Sequence, residues 1–158
     1  MSKVPMTVAG AARLKVELHR LKTIERPAVI RAIADARSHG DLSENADYDA
    51  AKERQSFIEG RIAELESKLS NAQIINPALL EADGRCVFGS TVDLEDMESG
   101  EVVTYQIVGD DEADIKQGKI SIGSPMARAL IGKSSGDVAE VQAPGGLREF
   151  EILDVKYI

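Results

Sequence analysis

The 158-residue chain is poor in the residues that form covalent cross-links and exposed aromatic surfaces. Cys86 is its only cysteine, which excludes an intrachain disulfide and any metal site built from several cysteines. Tryptophan is absent, and aromatic residues make up 4% of the chain. Because a platform that stacks single-stranded nucleic acid uses several exposed rings, this composition argues against one.

Long apolar runs are missing as well. No apolar stretch follows a basic N-terminus in the manner of a secretory signal, and none is long enough to span a bilayer. The chain is therefore expected to be cytoplasmic, with no membrane partner.

Acidic residues outnumber basic ones, and the net charge of −8 is unevenly placed. Residues 1–76 carry a net charge of +1 and residues 77–158 one of −9. An acidic surface repels a phosphate backbone. A role on nucleic acid would therefore require something other than bulk electrostatics to bring the chain there.

The first half shows helical periodicity. Thr7 is a candidate N-cap, and Pro27 is expected to kink the helix that follows or to shift its register. The residues expected on its apolar face are Leu14, Leu18, Leu21, Ile30 and Ile33. The segment Ser38-His39-Gly40 then breaks the pattern.

A second helix follows the break, and the Asn76-Pro77 step is expected to end it. Its coiled-coil seam is predicted to contain Ala51, Gln55, Ile58, Ile62, Leu65, Leu69 and Ala72. Two stripes of similar length on either side of a short break predict an antiparallel hairpin. At 1.5 Å per residue this arm would be about 40 Å long.

The second half changes to the period of strands. Alternating segments occur at 90–94, 101–108 and 149–152, and turn residues occur at 98–100 and 144–146. Ser124 as N-cap, Pro125 in the first turn and Gly132 beyond the end predict one short helix. The fold class is therefore predicted as α+β, with a coiled-coil hairpin in residues 1–76 and an antiparallel sheet with a short helix in residues 77–158.

The turn of the hairpin, residues 40–49, contains four carboxylates and no Lys or Arg. On one interpretation Asp41 caps the second helix and Glu44 completes a capping box. On the other, both acids project from the end of the arm to hold a divalent cation. Because Mg²⁺ takes six oxygen ligands, two exposed acids could only complete a site that another protein supplies, so catalysis is possible only in trans.

The segment 36–48, ARSHGDLSENADY, resembles the tip of the GreA/GreB transcript-cleavage factors. The run 107–114, IVGDDEAD, resembles the GreA branch, as do residues 120–125 and 131–133. The resemblance covers essentially the whole chain. It implies a C-terminal domain similar in fold to FK506-binding proteins that docks on RNA polymerase, and an arm that enters the polymerase's secondary channel. Any contact with DNA would be indirect, through the polymerase.

The resemblance also implies a role for each matched residue. Asp41 and Glu44 would help to hold a second Mg²⁺ and its water while the polymerase hydrolyses the 3′ end of backtracked RNA. Arg37 and Lys52 would face the displaced RNA, although ordinary solvated charge is an equal alternative. Ser124 and Pro125 would dock on the polymerase. The chain would then be a stimulator and not an enzyme, a monomer that shares Mg²⁺ with its partner and holds no stable cofactor of its own.

Three other functions fit parts of the sequence. A channel-inserting regulator without cleavage would lack the Asp-x-x-Glu pair that this tip retains. A coiled-coil adaptor or chaperone would expose apolar residues at the tip, where Leu42 stands alone among carboxylates. An intrinsic hydrolase would need more ligands than the tip offers.

Overall fold

The computed structural model describes residues 3–39 and 45–158 and divides into two compact units. Ala11–Ala72 form one unit, and Ser2–Gly10 together with Gln73–Ile158 form the other. This division differs from the predicted boundary between residues 76 and 77, because the N-terminal residues group with the second half of the chain.

The first unit is a helical hairpin, as predicted. Its first arm consists of α1 (Val8–Arg20), a π-helical turn (Leu21–Glu25) and α2 (Arg26–Arg37). Its second arm is the single helix α3 (Ala46–Ser70). Thr7 is the predicted N-cap, since its Oγ1 accepts a hydrogen bond from the Gly10 N–H at 3.1 Å.

The π-helical turn ends at Glu25, two residues before Pro27. The Arg26 N–H reaches back to the Leu21 carbonyl, five residues earlier, while Pro27 itself has no N–H to donate. The extra residue shifts the register of the apolar stripe, as expected. One detail of the predicted stripe is wrong: Val29 is buried, whereas Ile30 is 52% exposed.

The seam between the two arms is apolar at its centre. Val29 of α2 packs with Ile58 and Ile62 of α3, and Leu18 and Leu21 cover this cluster. Gln55, the polar member of the predicted seam, is half-buried. The seam prediction is wrong at Ala72, because α3 ends at Ser70 with Asn71 as its C-cap.

Ion pairs cross the hairpin outside the seam. They join Arg26 to Glu59 at 2.8 Å, Arg54 to Glu25 at 2.8 Å, and Arg61 to Glu17 at 2.6 Å. In each pair the arginine, chiefly through its hydrogen bonds, lowers the pKa of the glutamate. These pairs fix the antiparallel register of the two arms.

The expected end of α3 at Asn76-Pro77 is also wrong. Strand β2 (Ala72–Ile75) follows the helix and pairs with β1 (Val4–Thr7) in a two-stranded sheet that was not predicted. Asn76 instead caps a short 3₁₀ turn, Pro77–Leu79, by accepting a hydrogen bond from the Ala78 N–H.

The second unit contains a five-stranded sheet in the order β5-β4-β3-β7-β6. The strands are β3 (Thr91–Asp96), β4 (Val102–Val108), β5 (Lys119–Ser121), β6 (Val138–Ala143) and β7 (Gly146–Lys156). Strands β3, β4, β6 and β7 pair antiparallel, as predicted, but β5 runs parallel to β4. The sheet is therefore mixed and not purely antiparallel.

The core of this unit lies between the sheet and α4 (Pro125–Leu130). Leu94, Ile107 and Ile152 from the sheet and Leu130 from α4 are fully buried. Cys86 is buried with them, and mainly this burial raises the pKa of its thiol to about 11. The thiol therefore stays protonated near neutral pH, which makes it a packing group and a poor nucleophile.

Glu112 holds β1 against the rest of the second unit through hydrogen bonds. Its carboxylate is buried and accepts hydrogen bonds from the N–H groups of Thr7 and Gly109, each at 3.0 Å, and from the Thr7 hydroxyl. A Cβ built on Gly10 would lie 2.2 Å from Glu112 Oε1, so only glycine fits there without displacing the carboxylate.

We predict that Glu112→Ala lowers the free energy of unfolding by about 3 kcal/mol, because buried N–H donors lose their acceptor. Chemical denaturation of the full chain measures this change. Glu140→Ala, on the exposed face of β6, is the matched control and should change stability by less than about 0.5 kcal/mol. Equal effects of the two variants would contradict the assigned role of Glu112.

We also predict that the hairpin loses stability in acid, because the arginine partners lower the pKa values of Glu17, Glu25 and Glu59. A carboxyl whose pKa is lowered on folding stabilises the fold above its unfolded pKa, about 4.3 for Glu. That stability is lost as the pH falls through the folded value. The helical signal in far-ultraviolet circular dichroism should therefore melt at lower temperature below about pH 4.3.

The double variant Glu17→Gln, Glu59→Gln tests the cause of this acid sensitivity. It should show a weaker dependence of the melting temperature on pH than the wild type. Carboxylates elsewhere in the chain are common to both proteins and cancel in the comparison. The same acid sensitivity in both proteins would show that the cross-hairpin pairs are not responsible.

Candidate functional site

The two arms of the hairpin end on either side of residues 40–44. Helix α2 ends at Arg37, and the Ser38 N–H donates to the Ala34 carbonyl at 3.2 Å. Helix α3 begins at Ala46, and Asn45 is its N-cap, because Asn45 Oδ1 accepts from the Tyr48 N–H at 3.1 Å. The interpretation that Asp41 caps this helix is therefore wrong.

Asp41 and Glu44, the predicted catalytic and metal-binding pair, lie outside the described residues. They fall in the chain between His39 and Asn45, that is, between the end of α2 and the cap of α3. Asp47 and Asp49 follow in the first turn of α3, where negative charge is favoured by the helix dipole. Within residues 3–39 and 45–158, no group of three or more His, Cys, Asp or Glu side chains could hold a metal ion.

Two contacts join the arms beside this turn. Asn45 Nδ2 donates to the Ala36 carbonyl at 2.6 Å, and the Arg37 guanidinium carbon lies 5.8 Å from the centre of the Tyr48 ring. Through this ring contact Tyr48 of α3 packs against the end of α2. The two arms are therefore held together up to the last described residues of the hairpin.

Arg37 of α2 and Lys52 of α3, the predicted RNA-facing pair, both line one cleft on the hairpin. It is an open cleft of about 290 Å³. Its walls are formed by Ile30, Ile33, Ala34, Arg37, Lys52 and Gln55. Lys52 Nζ donates to Gln55 Oε1 at 3.2 Å. The structure therefore brings two cations from different helices to one exposed surface, and their contact with RNA stays a prediction.

Ser124 and Pro125, the predicted docking residues, begin α4. Ser124 Oγ accepts from the Ala127 N–H at 3.2 Å, which makes Ser124 the predicted N-cap. Pro125 is exposed at the first helical position. On the preceding turn, Ser121 Oγ donates to Asp110 and accepts from the Gly123 N–H. This network fixes the entry to α4 and presents Pro125 to solvent.

Comparison with known proteins covers both units. Family models described as "Transcription elongation factor, N-terminal" and "Transcription elongation factor, GreA/GreB, C-term" match residues 4–74 and 81–157. A protein named transcription elongation factor GreA from Neisseria meningitidis serogroup A is 70% identical over 158 residues, all of both chains. The chain belongs to the GreA/GreB family of transcription elongation factors.

A second relative agrees with this assignment. The transcription elongation factor GreA of Ralstonia nicotianae is 71% identical, again over the full length of both chains. Among solved structures, GreA factor homolog 1 of Thermus thermophilus is 35% identical, with 97% of this chain and 98% of that chain covered and a TM-score of 0.43. The predicted family, and within it the GreA branch, is confirmed by the relatives' identity.

Asn45 and Glu112 were not predicted from the sequence. Asn is a favoured N-cap, and Asn45 directly precedes an unbroken helix, but the Asp-x-x-Glu spacing four residues earlier was the stronger capping signal. The contact of Glu112 with β1 could not be predicted from neighbouring residues, because its partner Thr7 is 105 residues away. Among the helices that the structure describes, none is long and apolar enough to cross a membrane.

Proposed function

We propose that this chain is a transcription elongation factor that binds RNA polymerase and stimulates the polymerase's own cleavage of backtracked RNA. The observation that carries the proposal is the antiparallel hairpin, whose turn holds Asp41 and Glu44 between two helix ends. A long arm with acids at its turn can bring them into another protein's active centre. The chain acts as a cytoplasmic monomer and is not itself the nuclease.

Asp41 and Glu44 supply hard oxygen ligands, the donors that Mg²⁺ prefers. Two such groups leave most of an octahedral shell to be filled by the polymerase, by RNA and by water. When bound there, a second Mg²⁺ would lower the pKa of an attacking water and stabilise the charge that develops at the phosphate. The task of this chain is to hold the two carboxylates at that position, and the free chain binds no metal stably.

Arg37 and Lys52 are proposed to face the displaced 3′ segment of the RNA. Both are exposed and line one cleft near the turn. Cations in this position would attract the phosphates of a backtracked strand.

We predict that Asp41→Asn with Glu44→Gln abolishes stimulated cleavage and leaves polymerase binding intact, because the amides keep the shape but lose the charge that holds Mg²⁺. A stalled polymerase complex with labelled RNA measures cleavage, and competition with labelled wild type measures binding. The matched control is the double variant Asp47→Asn, Asp49→Asn, which also removes two carboxylates near the turn. It should retain stimulated cleavage.

Each outcome of this experiment separates two functions. Cleavage at the wild-type rate by the Asp41, Glu44 variant would refute the assigned pair. Binding without stimulation by the wild type would identify a regulator that does not promote cleavage. Cleavage of free RNA without polymerase would identify an intrinsic hydrolase.

Ser124 and Pro125 are proposed to dock on the polymerase. We predict that Pro125→Ala weakens polymerase binding without lowering the melting temperature of the second unit, because the Pro125 side chain is exposed at the start of α4. Ser124→Ala should weaken binding and also cost about 1 kcal/mol of stability, since it removes the cap.

Leu79→Ala is the control for this pair, because Leu79 is 76% exposed in the same unit and lies outside the proposed docking surface. It should bind polymerase as the wild type does. Unchanged binding by Pro125→Ala would remove this residue from the interface.

A further inference from the structure

We propose that Gln55 contacts the displaced RNA in the cleft that Arg37 and Lys52 line, and that its side-chain amide donates a hydrogen bond to a base. The inference rests on the proposed function, which brings the displaced 3′ segment of the RNA to this cleft. It adds a neutral donor to the two cations and gives a function to the one polar residue of the seam.

Gln55 occupies a seam position whose neighbours on the same helix face are apolar. Ala51, Ile58 and Ile62 are buried, whereas Gln55 is half-buried. A polar residue at such a position costs stability, and its usual benefit is to specify the register of the paired helices. The first question is therefore whether Gln55 pairs with the opposite arm.

Gln55 forms no hydrogen bond across the hairpin. Among the described residues, the one hydrogen-bond partner of its side chain is Lys52 on the same helix, whose Nζ donates to Gln55 Oε1 at 3.2 Å. The bidentate pair of Arg26 with Glu59 already restricts the register of the arms. A role in register therefore does not account for the amide.

The amide nitrogen of Gln55 is a donor that a ligand can reach. Gln55 Oε1 accepts from Lys52, while Nε2 has no partner among the described residues. None of the buried side-chain nitrogen or oxygen atoms in this part of the chain lacks a hydrogen-bond partner, so Nε2 must be accessible to solvent. Because Gln55 lines the cleft, Nε2 is available to a molecule bound there.

The two cations of the cleft are available as well. Elsewhere on the hairpin, Arg26, Arg54 and Arg61 are each paired with a glutamate of the opposite arm. Within residues 3–39 and 45–158, Arg37 contacts an aromatic ring and Lys52 contacts an amide, and neither forms an ion pair. The cleft therefore combines two cations without a carboxylate partner and one neutral donor, which suits the phosphates and a base of a single RNA strand.

The burial of each side chain indicates which part of a nucleotide it meets. Arg37 and Lys52 are exposed, whereas Gln55 is half-buried and shares the cleft with Ile30 and Ile33. A phosphate would lose hydration beside apolar side chains, whereas a base has apolar faces and a polar edge that accepts hydrogen bonds. Since its Oε1 is occupied, Gln55 cannot form the donor-and-acceptor pair that reads adenine. It therefore positions a base without selecting one.

The first test compares Gln55→Met with the wild type in the full chain. Methionine is an unbranched residue that removes the amide. The melting temperature of the hairpin should rise, because an apolar residue completes the seam. Stimulated cleavage of backtracked RNA should nevertheless fall about fivefold, the effect of one lost hydrogen bond. A fall in both quantities would identify a purely structural role and overturn the inference.

The second test measures binding, which separates an RNA contact from an effect on the arm. Without Mg²⁺, so that the RNA stays intact, Gln55→Met should bind a backtracked polymerase complex about fivefold more weakly than the wild type. It should bind a complex that is not backtracked as the wild type does, because no displaced RNA reaches the cleft there. Competition with labelled wild type measures both affinities. Equal losses in the two complexes, or no loss in either, would overturn the inference.

Two further variants serve as controls. Gln55→Glu keeps an acceptor for Lys52 but has no donor, so its cleavage should also fall. Wild-type cleavage by this variant would show that Gln55 acts only by orienting Lys52, and would overturn the inference. Ile62→Val weakens the buried seam outside the cleft, and it should leave the cleavage rate and both affinities unchanged. A matching loss in Ile62→Val would show that seam stability is the cause.

The wild type in the same assays separates this inference from the proposed function. If the wild type stimulates cleavage and Gln55→Met does so equally, only the role of Gln55 is refuted. If the wild type does not stimulate cleavage, the proposed function itself fails.

Discussion

The hairpin depends on a single apolar seam between two antiparallel helices. Val29 on one arm and Ile58 and Ile62 on the other form its centre, and a two-helix arm has no second layer to add to them. Helices of this kind are stable in proteins mainly through the packing of one face. The arm is therefore a structure of limited stability that must still present its turn accurately.

Polar contacts supply the accuracy that the seam does not. The bidentate pair between Arg26 and Glu59 requires one register of the two arms. Each exposed pair adds only modest stability, so several pairs are needed for a measurable effect on melting, and each also restricts the alignment of the arms. At the turn the same task falls to Asn45, whose amide joins two helix ends. The arm is thus aligned at intervals along its length.

The chain divides stability and chemistry between its parts. The globular unit has the larger core and most of the negative charge, and Glu112 ties its N-terminal strand in place. The proposed chemistry uses two acids at the turn of the arm, where they are too few to bind a metal unaided. In this proposal the remaining ligands come from a partner, so the activity would belong to the assembled complex and not to the free chain.

The sequence by itself determined the elements that depend on neighbouring residues. Helical periodicity predicted both arms, Pro27 predicted the shift that appears as a π-helical turn, and Ser124 with Pro125 predicted the start of α4. The family motif around Asp41 and Glu44 was also local, so it could be identified without a fold. Each of these signals lies within a few residues of the feature it predicts.

Only the tertiary structure decided the features that join distant residues. The pairing of β1 with β2, the parallel alignment of β5 with β4, and the contact of Glu112 with Thr7 all join segments well separated along the chain. The burial of Val29 and not Ile30 depended on how the π-helical turn rotated the helix against its partner. Asn45 is the cap of α3, and its amide also donates to the Ala36 carbonyl on the opposite arm. Sequence patterns record local preferences, and these outcomes were set by which groups met in space.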